Sequence, residues 1–136
     1  MIDRLIYKLL ADKLGDAYPV YPAFAIPDDQ AAPYCVYEIV SDNDAERLLA
    51  GNQSDVRDAT VNVHVVALSA DDLDAIEKLI DAALIVDHKQ VEDNVVLTAN
   101  IASRARTAGV LDDGSETLIY QTSAAAEIMY RRSENG

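Results

Sequence analysis

At Ser69 the periodicity of the chain changes. The run before it, ATVNVHVVAL, alternates: Ala59, Val61, Val63, Val65 and Ala67 point one way, while Thr60, Asn62 and His64 point the other. A period of two predicts a strand with one buried face. Beyond Ser69 the apolar residues return three and four apart, as Leu73, Ile76, Leu79, Ile80, Ala83 and Leu84. That spacing predicts an amphipathic helix, with Asp71, Asp74, Glu77, Lys78 and Asp81 falling outside its stripe. Ser69 and Asp72 have the spacing of a capping pair. One buried strand face leading straight into one apolar helix face calls for a sheet with a helix layer on it.

The remaining segments fit that plan. Ile2, Leu5, Ile6, Leu9, Leu10 and Leu14 predict an N-terminal helix that stops at Gly15. Pro19, Pro22, Pro27 and Pro33 limit residues 16–33 to short extended pieces, with YPVYP as a small edge strand. Residues 34–41 form a strand, and Asp42–Asp58 forms a long polar loop of the kind that is functional or flexible. VDHKQVEDN reads as a polar connection, and two further strands are expected over 95–106 and 117–132, joined through the turn residues DDGS. Strands joined by turns pair antiparallel. The expected fold is therefore α+β: a mostly antiparallel sheet of four to five strands with two helices on one face, in a single domain spanning residues 1–136.

One stretch fits a half-buried strand poorly. In AAPYCVYEIVS one face carries Tyr34, Val36, Glu38 and Val40, the other Cys35, Tyr37, Ile39 and Ser41, so both are mostly apolar. The helices can cover only one of them.

Charge narrows the partners. Acids outnumber bases 24 to 11, for a net charge of −13. Such a chain repels nucleic-acid backbone, whose binding depends on Lys and Arg displacing counterions. Residues 70–93 hold eight acids and two bases, so the excess is concentrated there. That segment is a candidate for a surface kept strongly negative for a purpose. A single cysteine, Cys35, rules out an internal disulfide framework and suits a reducing compartment. No signal peptide is expected, and no run reaches the ~20 apolar residues of a membrane helix.

Catalytic signatures are sparse. His64 lies mid-strand on the polar face and reads as solvated or interfacial, and His88 reads as a surface residue beside Asp87. Cys35 reads as a small apolar residue in a buried strand. Ser69 is a cap with no nucleophile elbow around it. Asp71, Asp72 and Asp74 complement a helix dipole. No metal, cofactor or enzymatic activity is expected. The contrasting class, a small α+β enzyme or ligand-binding domain using His64 and the acids of the second helix, would require a pocket that brings His64 to a carboxylate.

The layout resembles a known family. An N-terminal amphipathic helix leads to YPVYPAFAIPDD, then PYCVYEIVS, then a polar loop containing LLAG, then VNVHVVALSADDLDAIEKLIDAAL. This resembles the tail-completion, or tail-terminator, proteins of long-tailed bacteriophages, prophages and gene-transfer particles, and the match spans residues 1–85. The resemblance implies a non-enzymatic virion protein that forms a ring, usually of six subunits, which caps the tail tube and joins tail to head. The nearest alternative is a head–tail connector or neck adaptor. Implied partners are further copies of the chain, the tail-tube protein and the connector, with no direct nucleic-acid binding and no membrane. The implied location is the virion tail, assembled in the bacterial cytoplasm. Subunit or partner contacts are expected at Tyr34, Val36, Glu38, Val40, Arg47, Leu48, Leu49 and Arg57.

Overall fold

The computed structural model describes residues 2–15, 17–26, 32–44, 56–110 and 118–132. Helix α1 (Ile2–Leu14) leads to strand β1 (Val20–Pro22) and a 3-10 turn at Ala23–Ala25. Strands β2 (Tyr34–Asp44) and β3 (Val56–Ala67), helix α2 (Ala70–Leu84) and strands β4 (Val86–Val91), β5 (Asn94–Val110) and β6 (Leu118–Arg132) follow. The α+β class is as expected. Among the described residues the sheet has six strands rather than four or five, in the order β1-β2-β3-β6-β5-β4. It is mixed: β1 runs parallel to β2, and the other four pairings are antiparallel.

Helix α2 starts and stops, and α1 stops, where local chemistry dictates. Ser69 Oγ accepts a hydrogen bond from the Asp72 N–H at 3.1 Å, satisfying a donor that the first turn of α2 leaves unpaired. At the far end the Ile85 N–H donates to the Asp81 carbonyl at 2.9 Å. Gly15 ends α1 with φ of 61°, the left-handed conformation that a helix C-terminus commonly needs and that a Cβ disfavours.

The helices share one side of the sheet. Leu5, Ile6, Leu9, Leu10 and Leu14 of α1 join Leu73, Ile76, Ile80, Ala83 and Leu84 of α2 over Cys35, Tyr37, Val61, Val63, Val65, Val96, Ala126 and Ile128. Each large apolar side chain there removes about 1.5–3 kcal/mol worth of surface from water, so this layer is the main source of stability.

Two expectations need correction. VDHKQV is an edge strand, not a connection. It pairs with β5 through a two-residue turn, with Val91 opposite Asn94 and Glu92 at φ of 50°, the positive φ such turns require. The loop expected over Asp42–Asp58 is shorter on both flanks. Asp42, Asn43 and Asp44 pair with Ala59, Asp58 and Arg57 and lengthen the β2·β3 ladder. Residues 45–55 lie outside the described residues, as do Arg47, Leu48 and Leu49.

Candidate assembly surfaces

The sheet face away from the helices is built from the polar set of β3 and its neighbours. Register places Tyr21, Val36, His64, Ser123 and Ala105 in one row across it, and Glu38, Asn62, Ala125 and Ser103 in the next. No described helix or strand packs over this face. Val36 is nonetheless only 6% exposed, and it lies outside the helix-side core. Its cross-strand neighbours Tyr21 and His64 flank it. Tyr34 is partly buried, and Glu38 is exposed. The apolar character of this side of β2 is thus partly absorbed within the sheet.

Val40 departs from the expected alternation. The register shifts between Ile39, opposite Val61, and Ser41, opposite Thr60. Val40 is therefore the extra residue of a bulge, 56% exposed, and Ser41 moves to the open face. Arg57, expected at a partner contact, lies on the helix side and closes an internal cluster. Its Nε donates to Asp42 Oδ1 at 3.0 Å and its Nη2 to the Asp42 carbonyl at 2.9 Å. The Tyr130 hydroxyl reaches both Asp42 carboxylate oxygens at 2.9 Å. Burial, reinforced by the carboxylate that accepts its proton, pushes the Tyr130 phenol up to about 12.

The acidic segment is also rearranged by the fold. Glu77, expected on the solvent side, is 5% exposed. Arg106 of β5 donates to both of its carboxylate oxygens and, at 2.6 Å, to Asp74. Thr122 of β6 donates to Glu77, and Arg104 pairs with Asp81. Burial would raise the Glu77 pKa, but the hydrogen bonds from Arg106 and Thr122, with the charges of Arg106 and Arg104, bring it below the usual value. Glu92 pairs with Arg4 and Lys8. Residues 70–93 are therefore not a bare acidic surface, because basic groups from β5 and α1 neutralise four of their carboxylates.

His64 Nδ1 lies 2.8 Å from Ser123 Oγ on the open face. The shallow hollow beside them, about 250 Å³, is lined by Asn62, Ser103, Arg104, Ala105, Ser123, Ala124 and Ala125, and holds no carboxylate. Among the described residues no group of three or more His, Cys, Asp or Glu could hold a metal ion, and no helix is long and apolar enough to cross a membrane. Cys35 is fully buried, and burial pushes its thiol up to about 12. A cleft of about 540 Å³ opens where β1 ends, between Ile2, Asp3, Pro22–Phe24 and Tyr37–Ile39. Phe24 at its rim is 83% exposed. Sequence patterning does not single out Phe24, because it sits in a three-residue turn with no period to break.

No protein-family profile matches the sequence, and no curated protein matches it. Among solved structures the fold is similar to a chain from "Virion of native gene transfer agent (GTA) particle". That likeness has a TM-score of 0.53 at 15% sequence identity and covers 93% of this chain and 91% of the other. At this identity the two chains share a fold across nearly their whole lengths.

Proposed function

We propose that this chain is a structural virion protein, a ring-forming subunit that caps a tail tube, ends tail growth and makes the tail-to-head joint. The observation that carries the reading is the end-to-end fold likeness to a chain of a gene-transfer-agent particle. The motifs of residues 1–85 support the finer assignment to a tail terminator. A sheet face with no described layer over it and a large exposed Phe24 suit a subunit that works in contact with others. In this reading the chain has no catalytic role, resides in the particle's tail, and contacts its own copies, the tube subunit and the connector.

The test is electron microscopy of particles from a producing cell with this gene deleted and then restored. Unjoined heads and tails of uncontrolled length on deletion, both reversed on restoration, are the expected result. Joined particles of normal tail length without the gene would overturn it.

A further inference from the structure

The two edges of the sheet are each only partly covered, and the bare parts complement one another. On one side β1 pairs with β2 only from Cys35 to Tyr37, so Glu38–Asp44 has no described strand beside it. On the other side β4 pairs with β5 only from Asn94 to Ala99, so residues 100–110 have none. Register fixes their relative heights. Val36, beside β1, shares a row with Ala105, which is bare. Asp42, which is bare, shares a row with Ala99, beside β4. Each cover strand therefore sits at the height where the opposite edge is open.

Strand direction completes the match. Three successive antiparallel pairings, β2·β3, β3·β6 and β6·β5, leave β2 and β5 antiparallel to each other. Rotation about a ring axis preserves strand direction, so β5 of one copy meets β2 of the next as an antiparallel pair. The open faces stay together only at an even stagger, and about six residues, roughly 20 Å at the rise of a strand, brings 100–110 alongside Glu38–Asp44. In that position the neighbour's β1 falls in line beyond the end of β5, and β4 falls in line beyond the neighbour's β2. Stagger between neighbouring strands is what a closed sheet of tilted strands demands.

Edges with this little described cover are unusual. Monomeric proteins blunt theirs with Lys, Pro, a bulge or a covering element, and here the bare part of each edge carries a single bulge, at Val40 and at Ala102. Residues 100–110 contain neither Lys nor Pro, and their two arginines are engaged by α2. Beside the bare part of β2, the cleft rimmed by Phe24 leaves room for an incoming strand and offers it an apolar contact.

We propose that residues 100–110 of each subunit add as an antiparallel strand to Glu38–Asp44 of the next, head to tail, so that one continuous sheet closes the ring. This rests on the ring reading above, and the experiment separates the two. In the full chain, Asn43→Cys is combined in turn with Ser103→Cys, Ala105→Cys or Thr107→Cys; all four positions lie on the open face, and buried Cys35 stays unreactive. A short bis-maleimide is added, and native mass spectrometry reports the assembly state. A ladder of cross-linked species ending at a closed ring, in at least one double variant and in none of the single variants, is expected. Dimers from Ala105→Cys alone would show that the β5 edge meets itself, which overturns the proposal. Rings that form without any cross-link in the three double variants would overturn strand addition while leaving the ring intact. Monomers at every concentration would overturn both.

Discussion

Arg106 and Glu77 stand 29 residues apart in the chain, yet the Arg106 Nε donates to Glu77 Oε1 at 3.0 Å in the folded protein. The pair joins the middle of α2 to β5, and Thr122 adds a second donor from β6. Glu77 is buried, while the Arg106 side chain is half exposed. The pair therefore sits between the surface case, where such contacts stabilise little, and the buried case, where stranding one partner is expensive. Arg106→Ala strands the carboxylate and is expected to lower the unfolding midpoint. Urea unfolding of the two proteins measures it. An unchanged midpoint would mean that Asp74, Glu77 and Arg106 form no energetically coupled unit.

The same carboxylate predicts a pH dependence. Its pKa in the folded protein lies below the ordinary value of 4.5. A depressed carboxylate contributes stability above its unfolded value, and that contribution disappears as pH falls through the folded one. Glu77→Gln should therefore be clearly less stable than the parent at pH 7, and the gap should shrink as pH drops below about 4.5. Thermal unfolding across that range reads the difference. A gap independent of pH would assign the effect to shape alone.

Tyr130 predicts the opposite limb. Its phenol is raised to about 12 from 10. A raised acid gives stability that is full below the unfolded value and is lost as pH climbs through the folded one. Tyr130→Phe should cost about 0.5–1.5 kcal/mol near neutrality, the net worth of a hydrogen bond. Its deficit should close between pH 10 and pH 12, as the parent loses the proton that binds Asp42. Chemical unfolding of both proteins at three pH values is sufficient.

Helix starts offer a simpler check. Ser69→Ala removes the acceptor for the Asp72 N–H and should lower stability by about 0.5–2 kcal/mol. Ser69→Asp should restore most of the loss, because a carboxylate accepts the same bond and favours the helix dipole. Failure of that rescue in thermal unfolding would contradict a capping role.

What could be read in advance depended on the range of the interaction. The two helices, their caps and the strand of Ala59–Ala67 are written in local periodicity, and the fold follows them closely. VDHKQV escaped because an exposed edge strand has no buried face to impose alternation on its sequence. The bulge at Val40 shifts register through pairing with β3, which neighbouring residues do not encode. Glu77 looked solvent-facing because the Arg106 and Thr122 that cover it arrive from 29 and 45 residues away. The cluster of Asp42, Arg57 and Tyr130 is likewise long-range, spanning 88 residues. Tyr34, Val36 and Glu38 do share the open sheet face. Arg57 does not: it continues the alternation of Ala59, Val61 and Val63 on the helix side, and the shifted register past Val40 brings Asp42 to that same side.

The last prediction concerns DNA, which a ring at the end of a tail would have to let pass. Binding of duplex to protein is driven by cations that replace the counterions of phosphates. This chain has 11 basic residues against 24 acids. Several of those bases are occupied: Arg104 by Asp81, Arg106 by Asp74 and Glu77, Arg57 by Asp42, and Arg4 by Glu92. A phosphate would have to compete with carboxylates already in place, in a net field that repels it. The purified protein is therefore expected to leave the anisotropy of a labelled duplex unchanged at ~50 mM salt, where attraction between exposed charges is least screened. A rise in anisotropy that collapses steeply with added salt would overturn this, since that slope counts phosphates neutralised by protein cations. It would also move the search for the DNA-facing surface to the open sheet face, where Arg131 lies in register with Val95 and Val56.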